Sequence, residues 1–188
     1  MSAQSLFSSL PNLISLARLV LVPVVIAMII DQAWVQAFLI FVAAGVSDAI
    51  DGFLAKRFNL ASELGAYLDP LADKALLITI YVTLAAVNAL PATLAILVVF
   101  RDVLIIGAVI MSWLLDNPVK IKPLVVSKLN TAAQIMLAGA VLGARAFEIP
   151  PGWWYNLFVY LVALLTIAST IAYLTQWMRH MESDSADH

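Results

Sequence analysis

The sequence predicts an all-α fold: a polytopic membrane protein built as a bundle of six transmembrane helices, with its functional site on the cytoplasmic side. Hydrophobic residues occupy 63% of the 188 positions, which is typical of polytopic membrane proteins. Six apolar segments approach the roughly 20 residues that a spanning helix needs. Four aspartates interrupt this apolar pattern between positions 48 and 73.

The six predicted helices follow one another through short loops, so we expect one domain covering residues 1–188. The first helix begins after Pro11, a residue favoured at helix starts, and the third is predicted to carry Pro70 in its first turn. Residues 1–10 are predicted as an interfacial segment or, equally, a frayed terminus, and residues 180–188 as a polar tail that is disordered over 181–188. The helices are predicted at 12–30, 33–55, 68–88, 91–115, 123–144 and 153–177.

The composition excludes several functional classes. The chain has no cysteine, which rules out disulfides, thiolate metal sites and a cysteine nucleophile. Its formal net charge of −2 gives no basic footprint, so we expect no nucleic-acid partner. The first ten residues contain neither Lys nor Arg and do not have the form of a secretory signal peptide.

Basic residues set the predicted orientation in the membrane. Seven Lys and Arg residues flank the second-to-third loop, the fourth-to-fifth loop and the end of the sixth helix, whereas only Arg145 flanks the opposite side. By the positive-inside rule, both termini and the aspartate-rich loop are cytoplasmic. Trp34, Trp153 and Trp154 suit the outer interface, where aromatic belts form.

The four aspartates have the chemistry of a metal site. An ionised carboxylate in a bilayer is costly unless it is neutralised, so intramembrane Asp indicates function. Asp48 and Asp51 are three residues apart and Asp69 and Asp73 four apart, so each pair shares a helix face. Two divalent ions would cancel their four charges, and Mg²⁺ commonly shares carboxylates with substrate phosphates.

Scattered ion pairs are the alternative explanation for these acids. Lys56, Arg57 and Lys74 are close enough in sequence to pair with some of them. The spacing argues against this reading, because small residues accompany the acids at fixed offsets. Gly52 and Ala55 lie on the same helix as the first pair, where they would let a bulky ligand approach the backbone.

The segment 48–73 resembles the signature of the CDP-alcohol phosphotransferases, D-x2-D-G-x2-A-R-x8-G-x3-D-x3-D. Every fixed position matches except that the family's Arg is Lys56 here, followed by Arg57. The resemblance implies a six-helix core, usually homodimeric, and two divalent cations, Mg²⁺ or Mn²⁺. It makes Asp48, Asp51, Asp69 and Asp73 the metal ligands, and Asp73 also the general base.

The resemblance also implies positions that bind the CDP moiety. Gly52, Lys56 and Ser62 fall on those positions, and the small Ala55 belongs to the same surface. The ammonium of Lys56 is a point charge, whereas the arginine that the family has at this position can donate two parallel hydrogen bonds. Arg57 is therefore an alternative for this contact with the CDP moiety. Asn12 is either a cap-region residue or a further substrate contact.

Two further segments point to a branch of the family. Pro11-Asn12-Leu13 with Arg18 resembles the opening of both the phosphatidylglycerophosphate synthase and the cardiolipin synthase branches. Arg101-Asp102-Val103 and residues 122–132, KPLVVSKLNTA, resemble the CMP-forming cardiolipin synthases. The phosphatidylglycerophosphate synthases tend to have R-E and K-x-K-T there.

Three basic residues are candidates for binding the acceptor's phosphate: Arg101, Lys128 and Arg18. Arg101 lies well inside the fourth helix, where it either faces the substrate or simply neutralises Asp102. Lys128 either snorkels to the interface or contributes to a polar pocket with Ser127 and Asn130.

The resemblance implies transfer of a phosphatidyl group from CDP-diacylglycerol to phosphatidylglycerol, giving cardiolipin and CMP. Glycerol 3-phosphate is the alternative acceptor. The expected location is the bacterial inner membrane, with a cytoplasmic active site. An ion transporter using the aspartates is an alternative of another class, although no inverted repeat is visible. Intramembrane prenyltransferases also use Asp-rich metal sites, but commonly with more spans.

Overall fold

The structure is a computed structural model that describes residues 17, 19–58, 63–114 and 124–185. Side chains are described in these ranges except at 49–58, 63–73, 109, 110, 112, 113 and 179–185.

The described ranges contain six helices and no strand, which confirms the all-α prediction for that part of the chain. The helices are α1 (Leu19–Ile30), α2 (Trp34–Phe58), α3 (Glu63–Ala86), α4 (Ala92–Leu114), α5 (Val125–Ala146) and α6 (Trp153–Ser185).

Three helix boundaries differ from the prediction by three residues or more. Helix α3 begins at Glu63, so Pro70 lies inside the helix and its predicted place in the first turn is wrong. An acidic residue is favourable at a helix N-terminus, and apolar helix bundles tolerate interior prolines. Helix α2 continues past Ala55 to Phe58. Helix α6 continues to Ser185, so the predicted disorder of the tail is wrong for residues 181–185, where Met and Glu favour helix.

Tight turns follow α1, α3 and α5. Gln32 and Asn88 have φ of 57° and Glu148 has φ of 55°, the left-handed conformation that often ends a helix. The Ala33 N–H donates to the Met28 carbonyl at 2.8 Å, and the Ala89 N–H donates to the Leu84 carbonyl at 2.7 Å. These bonds satisfy the last carbonyls of α1 and α3 in the manner of a Schellman motif.

The described helices pack into two compact units. Of the described residues, the first comprises those within Met1–Leu90 and Ala138–Pro150, and the second comprises those within Pro91–Leu137 and Pro151–His188. Helix α5 therefore contributes its beginning to the second unit and its end to the first.

Close packing in the first unit depends on two glycines of α5. A Cβ at Gly139 would lie 3.1 Å from Cε1 of Phe41, and one at Gly143 would lie 3.2 Å from Cε2 of Phe38. The Phe38 ring also packs edge-on against Phe147, with centroids 5.7 Å apart. Glycine lets α5 approach these α2 rings closely, as small residues do at helix interfaces.

These contacts predict opposite effects of the same substitution at two glycines. Gly143→Ala should lower the melting temperature, because overpacking typically costs about 1–3 kcal/mol. Gly45→Ala on α2, where nothing lies within 4 Å, should raise it, because alanine is favoured over glycine in helices by about 1 kcal/mol. Thermal unfolding in detergent measures both, and equal shifts would contradict the packing argument.

The second unit has apolar residues on its surface and charged residues in its interior. On α4, Arg101 and Asp102 are 1% and 2% exposed, whereas the adjacent Phe100 is 58% exposed. On α6, Thr166 and Ser169 are fully buried and Leu164 is 66% exposed. Soluble proteins distribute these residue types the other way, so this surface suits a lipid environment.

Two described helical stretches are long and apolar enough to cross a membrane, Val125–Ala146 and Trp153–Met178. The described apolar parts of the first three helices are shorter, namely Leu19–Ile30, Trp34–Asp48 and Lys74–Ala86. Six spans therefore stay a prediction.

Candidate active site

The two halves of the aspartate motif lie on consecutive helices of the first unit. Asp48 and Asp51 are on α2, and Asp69 and Asp73 are on α3. Only residues 59–62 separate the two helices, and Ser62 falls among these, outside the described residues. Each pair of acids keeps the spacing that puts its members on one helix face, as the sequence predicts.

The coordination of a metal by these acids stays a prediction. Asp48 is half-buried, and it is the one motif aspartate whose side chain is described. The described side chains include no group of three metal-ligating residues, and Asp51, Asp69 and Asp73 are not among them. The chemistry of the donor set fits the predicted ions, because Mg²⁺ and Mn²⁺ prefer carboxylate oxygens.

Gly52, Ala55 and Lys56 lie on α2 near its end, where only the backbone is described. Asn12 and Arg18 lie outside the described residues. The predicted contacts of these positions with CDP or with the acceptor therefore stay predictions.

Arg101 of α4 is the centre of a buried polar cluster in the second unit. Its Nη1 forms an ion pair with Asp102 and its Nη2 donates to the Ser127 hydroxyl of α5. Its Nε and Nη2 donate to Oγ of Ser169 on α6 at 3.3 and 3.0 Å. The guanidinium carbon also lies 5.7 Å from the ring centroid of Tyr173. The cluster joins α4, α5 and α6.

This arrangement agrees with the prediction that Arg101 and Asp102 neutralise each other. A guanidinium has five N–H donors, and four of them point at these protein partners. Binding of a phosphate by Arg101 stays a prediction. Lys128, next to Ser127, is exposed in the first turns of α5, where a charged group is free to meet a ligand.

A second set of buried polar side chains lies one turn further along α5. Gln134 Nε2 donates to Oγ1 of Thr166 at 3.4 Å, and Thr166 Oγ1 donates to Oδ1 of Asn130 at 2.9 Å. Asn130 is fully buried. Within the described part of the chain, its Nδ2 has no hydrogen-bond partner. A buried donor without an acceptor is costly, so such a group calls for an explanation.

Sequence reasoning predicted Ser127 and Asn130 as pocket residues but missed Gln134, Thr166, Ser169 and Tyr173. Their spacing was the available signal. Thr166, Ser169 and Tyr173 recur at intervals of three and four in an otherwise apolar helix, which places them on one face.

Comparisons with known proteins agree with the aspartate motif. The family model described as CDP-alcohol phosphatidyltransferase matches residues 8–178. A relative in Oryza sativa subsp. japonica, the chloroplastic CDP-diacylglycerol–glycerol-3-phosphate 3-phosphatidyltransferase 1, is 37% identical over 89% of this chain and 56% of its own length. The CMP-forming cardiolipin synthase of Homo sapiens is 34% identical over 88% of this chain and 60% of its own length.

A third relative, the CDP-diacylglycerol–glycerol-3-phosphate 3-phosphatidyltransferase of Bacillus subtilis (strain 168), is 27% identical over 89% of this chain and 94% of its own length. The chain thus spans little more than half of the first two relatives and nearly all of the third. The relatives include synthases of both branches. The match to the family model covers the motif and all six helices except the end of α6, and the chain belongs to the CDP-alcohol phosphatidyltransferase family.

Proposed function

We propose that the chain transfers a phosphatidyl group from CDP-diacylglycerol to phosphatidylglycerol, forming cardiolipin and releasing CMP. The observation that carries this proposal is the full four-aspartate motif on two consecutive helices, α2 and α3, in a chain of this family. Transfer to glycerol 3-phosphate is the second candidate, because relatives named for that acceptor also match.

The reaction is a substitution at phosphorus. The acceptor's primary hydroxyl oxygen attacks the phosphorus that carries the diacylglycerol, and a new P–O bond forms. The bond from that phosphorus to the oxygen of CMP breaks, so CMP leaves with the electron pair. The Asp73 carboxylate accepts the proton of the attacking hydroxyl. Gly52, Ala55, Lys56, Ser62 and Asn12 are the proposed contacts of the CDP moiety.

Two divalent cations, Mg²⁺ or Mn²⁺, would be held by Asp48, Asp51, Asp69 and Asp73. When bound, such ions neutralise pyrophosphate charge and stabilise charge that develops on phosphate oxygens. Without them, four carboxylates close together would repel both one another and the pyrophosphate.

The charge of the buried cluster supports phosphatidylglycerol as the acceptor. The charge of Arg101 is paired with that of Asp102, so Lys128 is the described candidate that offers a positive charge to the acceptor. A single positive charge suits a phosphodiester such as phosphatidylglycerol, which carries one negative charge. Glycerol 3-phosphate is a phosphomonoester with close to two negative charges near neutral pH, like the phosphomonoesters of proteins. Arg18 is the remaining candidate contact.

The proposed setting is a bundle of six membrane spans in a homodimer, in the bacterial inner membrane, with both termini and the active site cytoplasmic. The exposed apolar residues of α4 and α6 support membrane insertion, and the distribution of Lys and Arg supports the orientation.

The test of function is an assay of the purified protein with CDP-diacylglycerol, Mg²⁺ or Mn²⁺, and each acceptor separately. We expect CMP release and cardiolipin with phosphatidylglycerol, read by lipid mass spectrometry. If glycerol 3-phosphate supports CMP release and phosphatidylglycerol does not, the proposed acceptor is wrong but the proposed phosphatidyl transfer stands. No CMP release with any alcohol, together with cation flux into proteoliposomes, would favour the transporter.

The orientation gives a separate prediction. Because the chain has no cysteine, Asn59→Cys introduces a single thiol between α2 and α3. An impermeant maleimide should label it only after the cells are disrupted. Pro151→Cys, at an exposed position after α5, is the control and should be labelled in intact spheroplasts. The reverse labelling pattern would show that the protein has the opposite orientation in the membrane.

A further inference from the structure

The hydrogen-bond chain that ends at Asn130 has a direction. Gln134 donates to Thr166 and Thr166 donates to Oδ1 of Asn130. The bond from Thr166 occupies Oδ1 of Asn130, and Nδ2 is the donor at the end of the chain. Asn130 is 0% exposed, and its Nδ2 has no partner among the described residues. The N–H groups of Nδ2 suit an oxygen acceptor.

The unpaired donor lies close to the Arg101 cluster. Asn130 follows Ser127 by three residues on α5, and Thr166 precedes Ser169 by three residues on α6, and both serines contact Arg101. Three residues of helix correspond to a rise of about 4.5 Å. Ser127 is partly buried and Lys128 exposed, so a ligand reaching Asn130 would enter at the start of α5.

We infer that Asn130 binds the secondary hydroxyl of the acceptor's glycerol phosphate through Nδ2. This inference rests on the proposed function. A neutral amide donor suits an uncharged oxygen, whereas a phosphate oxygen would favour a cation. In a glycerol phosphate the secondary hydroxyl oxygen is four bonds from phosphorus, a reach comparable with the rise between Ser127 and Asn130. With the phosphate beside Ser127, within reach of the long Lys128 side chain, the hydroxyl would lie at Asn130.

This contact would give Asn130 a role in specificity. The primary hydroxyl that attacks is on the next carbon, so holding the secondary hydroxyl restricts where the nucleophile points. The same glycerol phosphate unit occurs in phosphatidylglycerol and in glycerol 3-phosphate. The site therefore selects glycerol over simpler alcohols, whether the acceptor is a lipid or a free phosphate.

The test pairs each acceptor with an analogue lacking the secondary hydroxyl. Phosphatidylglycerol is compared with phosphatidyl-1,3-propanediol, and glycerol 3-phosphate with 3-hydroxypropyl phosphate. The wild-type protein should prefer glycerol by about tenfold or more in kcat/KM, because an unpaired site donor penalises the analogue. Asn130→Leu should reduce this preference to within about twofold and leave the KM for CDP-diacylglycerol unchanged. A preference seen with the lipid pair identifies a lipid headgroup as the ligand of Asn130, and a preference seen with the phosphate pair identifies free glycerol 3-phosphate.

Two threonines of α6 provide matched controls. Thr166→Val breaks the chain that orients the amide, so it should lower the preference for glycerol, but less than Asn130→Leu does. Thr170→Val removes a hydroxyl that donates to the Thr166 carbonyl of the same helix at 2.8 Å, and the preference should not change. A preference that persists in Asn130→Leu, or that falls equally in Thr170→Val, overturns the inference.

A binding measurement separates this inference from the proposed function. The lipid with the glycerol headgroup should raise the melting temperature of the wild-type protein more than the propanediol lipid, and Thr166→Val should narrow the difference. Equal shifts in the wild-type protein overturn the role of Asn130, even where transfer occurs. Absence of CMP release together with unequal shifts refutes the transferase proposal and retains the hydroxyl site. Should Asn130→Leu fail to fold, Asn130→Ala and Thr166→Val give the same comparison.

Discussion

Replacing Asp48, Asp51 or Asp69 with asparagine is expected to reduce turnover by about two orders of magnitude or more, because each change removes a charged ligand from the proposed two-metal site. Asparagine keeps the size of the side chain, so packing changes little. The measurement is CMP release from CDP-diacylglycerol over a range of Mg²⁺ and Mn²⁺ concentrations. Near-normal turnover in any one of the three variants would contradict the two-metal proposal.

Asp73→Asn should differ from the other three, because Asp73 is also the proposed base. Transfer should fall by about 10²–10⁴ while binding of the CDP-lipid decreases only modestly. Asp31→Asn is the matched control, because Asp31 is exposed in the turn after α1, and its turnover should remain normal. Loss of CDP-lipid binding in Asp73→Asn, in parallel with loss of transfer, would assign Asp73 to binding alone.

The second large effect is expected from breaking the buried ion pair of α4. Asp102→Ala should destabilise the protein by about 3–5 kcal/mol, because it leaves the Arg101 charge buried without its counter-charge. The serines and Tyr173 that also contact Arg101 carry no charge to replace it. Thermal unfolding in detergent measures the loss.

The double replacement Arg101→Leu with Asp102→Leu tests whether the unpaired charge of Arg101 causes the destabilisation expected for Asp102→Ala. Removing both charges removes the unpaired ion, and replacing buried ion pairs with apolar residues is often neutral or stabilising. Stability close to that of the wild-type protein is therefore expected. A double variant as unstable as Asp102→Ala would show that packing, rather than charge, dominates at this position.

Within the described residues, apolar segment length was enough to predict the order and approximate extent of the helices. It did not predict the start of α3, because Leu68 begins the strongly apolar stretch whereas Glu63 begins the helix. Placement of the four aspartates on two consecutive helices followed from the same segments, and their spacing of three and four residues predicted that each pair shares a helix face. The order of the helices and the faces of the aspartates depend on residues that are near one another in the sequence, so the sequence was sufficient to predict them.

The partners of Arg101 were less accessible from sequence. Asp102 is its neighbour and was predicted as one alternative, but Ser169 is 68 residues away. Such a contact depends on how α4 packs along α6, which no pattern within either helix specifies. The hydrogen bonding of Asn130 could not be predicted for the same reason, since Thr166, the partner of its Oδ1, is 36 residues distant.

The sequence separations within the Arg101 cluster have a consequence for biosynthesis. As the ribosome extends the chain, Asp102 is made immediately after Arg101, whereas Ser127 follows 26 residues later and Ser169 follows 68 residues later. An isolated arginine at the centre of a helix opposes insertion by the translocon by about 2.5–3.5 kcal/mol. If α4 spans the membrane as proposed, the counter-ion of Arg101 at the next residue means that the helix would carry no net charge at this point when it first meets lipid. In the proposed six-span bundle, the nascent helix could then partition into the bilayer before α5 and α6 have been synthesised, and the serines would complete the hydrogen bonding when those helices arrive.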